Sequence, residues 1–219
     1  MDMKIARALL GLAVLATAIA CSGSATATPK QTVTAESVAL QQGDVSGMQR
    51  CAGSGDIDTV LLSQKSRDPF AYAENAAVWN RWKRAGAKEA YLAVYGRTGR
   101  DCAAMTSAGP GAPTGGLVVG LVVKYRDAAV AASGFRATST LLGFGPKDLL
   151  FIRLAGGSVE TGVVTGLGPQ SRVGSGTVAG STYYFAFWQN KDFDADFMGY
   201  NVPTTAANTA VMDMNGRIR

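Results

Sequence analysis

The chain contains no histidine among its 219 residues. That removes every Ser-His-Asp or Cys-His arrangement made within the chain, and every metal site that needs an imidazole. Charged residues amount to only 17%. No block of five or six like charges occurs, so there is no basic arm for nucleic acid, and nucleic acid is not an expected partner. Cysteine occurs three times, at Cys21, Cys51 and Cys102. None of them forms a C-x-x-C pair, which argues against thioredoxin-type redox chemistry. The G-x-S-x-G and S-x-x-K signatures of serine nucleophiles are also absent. The apolar run at residues 8–20 falls short of the roughly 20 residues of a membrane-spanning helix.

What is present is a moderately apolar chain. Hydrophobic residues make up 47%, and glycine occurs 27 times. This suits one globular domain with flanking segments, and Gly-punctuated, Val- and Thr-rich stretches point to strands joined by turns. The formal net charge is +5, and loss of the first twenty residues, with Asp2, Lys4 and Arg7, would lower it by one. A mild positive balance permits weak attraction to an anionic membrane or wall polymer without arguing for it.

The first thirty residues are the most informative. Residues 1–7 are short and net positive, and residues 8–20 (ALLGLAVLATAIA) have the length of an export-signal core. The run ends at Ala18-Ile19-Ala20-Cys21. This junction resembles a bacterial lipobox, in which small residues precede a cysteine that takes a diacylglycerol and becomes the new N-terminus; Ala18 departs from the Leu usual at its place. The resemblance implies cleavage after residue 20, lipidation of Cys21 and anchorage of the mature chain to a bacterial membrane through that lipid. Ordinary cleavage after Ala27, at Ala25-Thr26-Ala27, is the competing reading, and gives a soluble secreted or periplasmic protein. Residues 21–37 read as a flexible tether, and residues 38–219 as a single domain.

If Cys21 carries lipid, Cys51 and Cys102 remain as a pair. In an oxidising compartment they form a disulfide, or else stay as two buried thiols; spacing does not decide between these. Along the domain, strands are expected at 57–62, 89–96, 117–125, 149–154, 159–166, 171–178 and 181–188. A last hairpin is expected to run through residues 190–196 into 197–202. Residues 117–125 (LVVGLVVKY) read as a central strand buried on both faces. Helices are expected at 73–85, capped by Gly86, from Asp127 to about Ser133, and at 204–215 with Thr204 or Thr205 as N-cap. In the first of these, Trp82 shares a face with Val78 and packs into the core, or lies on a membrane in the sharper reading. The fold class is therefore α+β: a mainly antiparallel sheet with two or three helices in one domain. Beyond the lipobox, the Trp-bearing helix, Gly86 and Tyr91-x-x-x-Tyr95 weakly resemble small exported bacterial α+β domains, a resemblance that implies no activity.

Three patterns invite a chemical reading. Gly174 to Ala179 fits G-x-G-x-x-A, but a strand follows, so it reads as a hairpin turn and no dinucleotide is expected. Asp192, Asp194 and Asp196 alternate, yet Phe197 and Pro203 stand where a calcium loop needs Gly and Glu. They read as a solvated hairpin tip, and neither metal nor cofactor is expected. The late segment from Tyr183 to Tyr200 is strongly aromatic, with Tyr184, Trp188 and Phe197 as candidate residues of an exposed platform for a glycan or apolar ligand; core packing is the alternative. No catalytic residue is assigned. The favoured function is a non-catalytic binding module of the cell envelope, with an envelope protein or glycan as partner. Its rival is a hydrolase using carboxylates from Glu36, Glu74, Glu89 and Glu160, or Ser63 with Lys65.

Overall fold

The computed structural model describes residues 32–104, 113–136, 141, 143 and 145–219. The signal segment, Cys21 and most of the expected tether lie outside them. Thr32–Arg219 forms one compact unit. It starts earlier than residue 38, because α1 (Ala35–Val38), capped by Thr34, places Ala35 and Val38 in the core.

The strands are β1 (Gln49–Arg50), β2 (Gly55–Asp56), β3 (Ala87–Gly96), β4 (Leu117–Tyr125), β5 (Ser158–Thr161), β6 (Ser171–Val178), β7 (Ser181–Asn190) and β8 (Phe193–Tyr200). They build one antiparallel sheet in the order β1-β3-β4-β8-β7-β6-β5, with β2 also on β3. The helices are α2 (Ile57–Lys65), α3 (Pro69–Ala85), α4 (Gly99–Ala104), α5 (Ala128–Arg136), α6 (Asp148–Leu154) and α7 (Thr204–Arg217). With α1 this makes seven among the described residues, so two or three helices was too few. Helices cover both faces of the sheet. Against one face lie α1 and α7, with Tyr91, Val118, Tyr184, Trp188 and Phe197 beneath them. Against the other lie α2, α3, α5 and α6, over Leu92, Leu121 and Phe187. An antiparallel sheet often leaves one face to water. This one does not, and β3 and β4 are accordingly apolar on both sides, as expected for residues 117–125.

The extra helices come from segments expected to be strands. Residues 57–62 are helical because Asp56 caps α2, its side chain accepting from the Asp58 N–H. Residues 149–154 form α6, whose inward residues Leu149 and Ile152 stand three apart, a helical spacing, while Leu150 and Leu154 are exposed. The expected strand 159–166 ends at Thr161 and continues as a 3₁₀ turn over Gly162–Thr165. Gly156, at positive φ, and Gly157 lead out of α6 into β5. Gly174 and Gly176 lie inside β6, and the hairpin turn falls at Ala179 and Gly180, both at positive φ. The two strand glycines admit α6 and Gly157: a Cβ on Gly174 would lie 2.6 Å from Leu149, and one on Gly176 would lie 3.0 Å from the Gly157 Cα. In α3 the buried indole is Trp79; Trp82 is only half-buried. Helix α7 spans the expected residues, but Pro203 occupies the N-cap and no side chain caps it.

Cys51 and Cys102 form a disulfide, with Cα atoms 5.3 Å apart. Beside it, buried Asp101 anchors both ends of the segment it begins. Its carboxylate accepts from the Thr98 N–H and hydroxyl, and from the Thr114 and Gly115 N–H groups at 2.9 and 2.8 Å.

Candidate functional site

The residues expected to form an aromatic platform are in the core. Tyr184 is 2% exposed, and Trp188 and Phe197 are fully buried. They project from β7 and β8 towards α1 and α7, where Tyr184 packs edge-on against Phe197 and bonds Asn208. This is the physical reason for the aromatic excess: α7, laid across the last hairpin beside α1, demands large side chains beneath it. No exposed aromatic surface remains at these positions.

The carboxylates and the serine of the hydrolase reading come from separate elements, of which α1, carrying Glu36, packs on β3, carrying Glu89. Glu36, Glu74, Glu89 and Glu160 sit on four different elements, α1, α3, β3 and β5, and Glu89 accepts from the Ala35 N–H. Ser63 and Lys65 are two apart on helix α2 and so point in different directions; Ser63 bonds the Val60 carbonyl, and Lys65 stands over Tyr72.

A different group of acids is brought together. The last hairpin turns at Lys191 and Asp192, and its returning strand begins at Phe193, paired with Asn190, four residues before the expected start at 197. Asp194 and Asp196 therefore stand inside β8 and not on a solvated tip. The strand alternates: Phe193, Ala195 and Phe197 enter the core under α7, so Asp194 and Asp196 project from the opposite face. Successive residues on one strand face have Cα atoms about 6.8 Å apart. Asp194 lies beside Val123, and Asp196 beside Leu121 and Phe187.

Both carboxyls face a cavity of about 40 Å³. Its walls are aromatic: Trp82 from α3, Phe135 from α5, Tyr125 from β4 and Phe187 from β7. Gly145 and Pro146 close it before α6. Gly134 is the residue that lets α5 approach. A Cβ there would fall 2.6 Å from the Tyr125 hydroxyl and 2.9 Å from Asp194 Oδ2, so only a glycine fits without displacing these groups. By volume the cavity holds about three water-sized groups, at roughly 10–15 Å³ of this kind of space for each.

The electrostatics of this cavity are unbalanced. Its described walls include neither lysine nor arginine, and neither aspartate belongs to an ion pair among the described residues. Burial pushes the Asp194 carboxyl up to about 8. The neighbouring Asp196 charge adds to the rise, and the hydrogen bond from Tyr125 offsets part of it. Burial alone raises Asp196 to about 7. The Tyr125 phenol is raised well above its ordinary range, first by burial and then by the two aspartates, so it stays a neutral donor. One acceptor is left over: Asp194 Oδ1 is buried with no hydrogen-bond partner. A buried polar atom without a partner costs roughly 1–3 kcal/mol, more when charged, and native proteins keep few of them. The cavity thus offers two partly ionised carboxyls and four aromatic walls.

Among the described residues no group of three or more acidic or cysteine side chains is arranged to hold a metal ion. The signal that locates the site was present in the residues Phe-Asp-Ala-Asp-Phe (193–197). Read as a strand, their strict alternation puts both aspartates on one face; read as a hairpin tip, it puts them in water. Comparison with protein-family models, with curated proteins and with solved structures finds no match to this chain.

Proposed function

We propose that this chain is an exported, lipid-tethered module of the bacterial envelope that binds a ligand without transforming it, and that it takes a primary ammonium group in the Asp194–Asp196 cavity. One observation carries the binding half of this reading: the paired carboxyls of Asp194 and Asp196 line an aromatic cavity whose described walls include neither lysine nor arginine. A primary ammonium supplies what is missing. Its N–H groups donate to the two carboxylates, its charge compensates the acid pair, and the aromatic walls of Trp82, Phe135 and Phe187 favour a cation. A quaternary ammonium has no N–H to donate to the carboxylates. Hydrolysis by the two carboxylates is the weaker reading. It requires a scissile linkage and its flanking groups between the acids, and a cavity for about three water-sized groups takes only the end of a molecule.

The test is a titration of the full chain with n-butylamine, followed by tryptophan fluorescence, since Trp82 forms one wall. Binding is expected at pH 8.5, where the acids are ionised and the amine is still protonated. It weakens at least tenfold by pH 5.5, as protons compete for the same carboxyls. Asp194→Asn removes binding. Gly134→Ala, whose Cβ crowds Tyr125 and Asp194, also weakens it. Failure of the wild type to bind at pH 8.5, or equal binding by Asp194→Asn, disproves the assignment.

A further inference from the structure

The cavity has a neighbour of opposite charge. On the far side of Phe135 an open groove of about 510 Å³ is lined by Arg136 and Arg172, together with Thr161, Gln170 and Ser171. Phe135 belongs to both sites. The Arg172 guanidinium is held 5.2 Å from the centre of its ring, a cation–π contact that fixes the charge at the junction. Neither arginine forms an ion pair among the described residues. The nearest strand carboxylate does not neutralise them: Glu160 lies opposite Val173, and therefore on the other face of the sheet from Arg172.

The sheet register fixes how far apart the backbones carrying the two charges stand. Arg172 pairs with Phe187, and Phe187 pairs with Asp196, so the three residues form one cross-strand row on one face. With neighbouring strands about 4.8 Å apart, the Cα atoms of Arg172 and Asp196 are about 10 Å apart. An acidic cavity and a basic groove at this separation, sharing one aromatic wall, form a two-point receptor.

We infer that the ligand is a linear zwitterion whose terminal ammonium enters the Asp194–Asp196 cavity while an anionic group, carboxylate or phosphate, rests on Arg136 and Arg172. This rests on the ammonium reading of the cavity and adds the second half of the ligand. The separation calls for a chain of several carbons between the charges. An α-amino acid, whose ammonium and carboxylate share one carbon, cannot span it.

The discriminating experiment compares three probes on the full chain: hexylamine, 6-aminohexanoate and hexanoate, at pH 8.5 and low salt. The zwitterion is expected to bind about fivefold more tightly than hexylamine, the worth of a partly exposed ion pair. Hexanoate alone is expected not to bind measurably. In Arg136→Ala and in the Arg136→Ala/Arg172→Ala double variant the advantage of the zwitterion over hexylamine, measured within each variant, shrinks and then vanishes. Added salt, which screens the open groove more than the closed cavity, removes the same advantage in the wild type and needs no variant to fold. Equal affinities for hexylamine and 6-aminohexanoate overturn the zwitterion and leave the ammonium reading standing. An advantage that survives in the double variant overturns the role of the arginines. Binding of neither amine overturns both readings.

Discussion

Asp194 and Asp196 carry charge where the fold would be more stable without it. Their carboxyls titrate at about 8 and about 7, against an ordinary value of 3.8. The folded chain therefore binds more protons than the unfolded chain between about pH 4 and pH 8, and stability falls as pH rises through that window. Asp101 has the opposite sense. Burial alone would raise it, but its hydrogen bonds from Gly115, Thr98 and Thr114 prevail and lower it. Its contribution is present above the unfolded value and is lost only as pH drops through the depressed one. Thermal unfolding between pH 5 and pH 9 thus isolates the cavity pair. The melting temperature of the wild type is expected to fall over this range by several degrees, at roughly 2–4 °C per kcal/mol for a chain of this size. Asp194→Asn and Asp196→Asn are expected to flatten the profile and to melt above the wild type at pH 9. A wild-type profile that rises from pH 5 to pH 9 would contradict the burial of these acids. A group kept in a destabilising state is the pattern expected of a binding or reacting site, and it sets these two aspartates apart from Asp101.

At the scale of elements, the central strands were legible and the short helices were not, for one reason. Residues 117–125 are apolar on both sides without interruption, and only a strand buried on both faces needs that. Helix α3 announced itself through its composition and Gly86, which takes φ 115° at the C-cap. Helices α2 and α6, by contrast, are nine and seven residues long. Over such lengths an apolar run has no resolvable period, and the cap at Asp56 was the better signal. The late hairpin shows the same limit: Asn190-Lys191-Asp192 turns two residues after the aromatic strand, and the aspartates beyond it inherit the strand's alternation. The candidate platform of Tyr184, Trp188 and Phe197 failed because counting aromatics does not say how many helices cover them. The disulfide lies at this scale too. It joins the end of β1, where Cys51 pairs with the Val94 carbonyl, to α4. With the cysteines 51 residues apart, its loss is expected to cost about 3–4 kcal/mol in the chain-entropy account. Denaturant unfolding of Cys51→Ser/Cys102→Ser against the oxidised wild type measures it. Equal midpoints would show that the bond adds nothing to this fold.

For the whole molecule, charge and tether act together. The chain is net positive, yet the cavity lined by Asp194 and Asp196 is acidic. A basic protein held by lipid at an anionic bilayer is drawn to the surface through its basic exterior, in the same layer where small cations are enriched by the negative surface potential. The proposed anchor would place the proposed ammonium-binding cavity where ammonium groups concentrate, and a soluble form would lose that advantage. The order of the signal features supports the anchor. A basic start, an apolar core of signal-peptide length and a small residue before Cys21 occur in sequence, and Cys21 is the cysteine left over once Cys51 and Cys102 are joined. A single acyl chain binds membranes only marginally, whereas the diacylglycerol implied by the lipobox supplies two and suffices for stable anchorage. Expressed in a bacterium fed labelled palmitate, the wild-type chain is expected to incorporate label and to remain with the membrane fraction. Cys21→Ala is expected to lose both the label and the membrane while keeping the Cys51–Cys102 bond and amine binding, since neither resides in the tether. A wild-type product that is unlabelled, soluble and cleaved after Ala27 would refute lipidation and leave export intact.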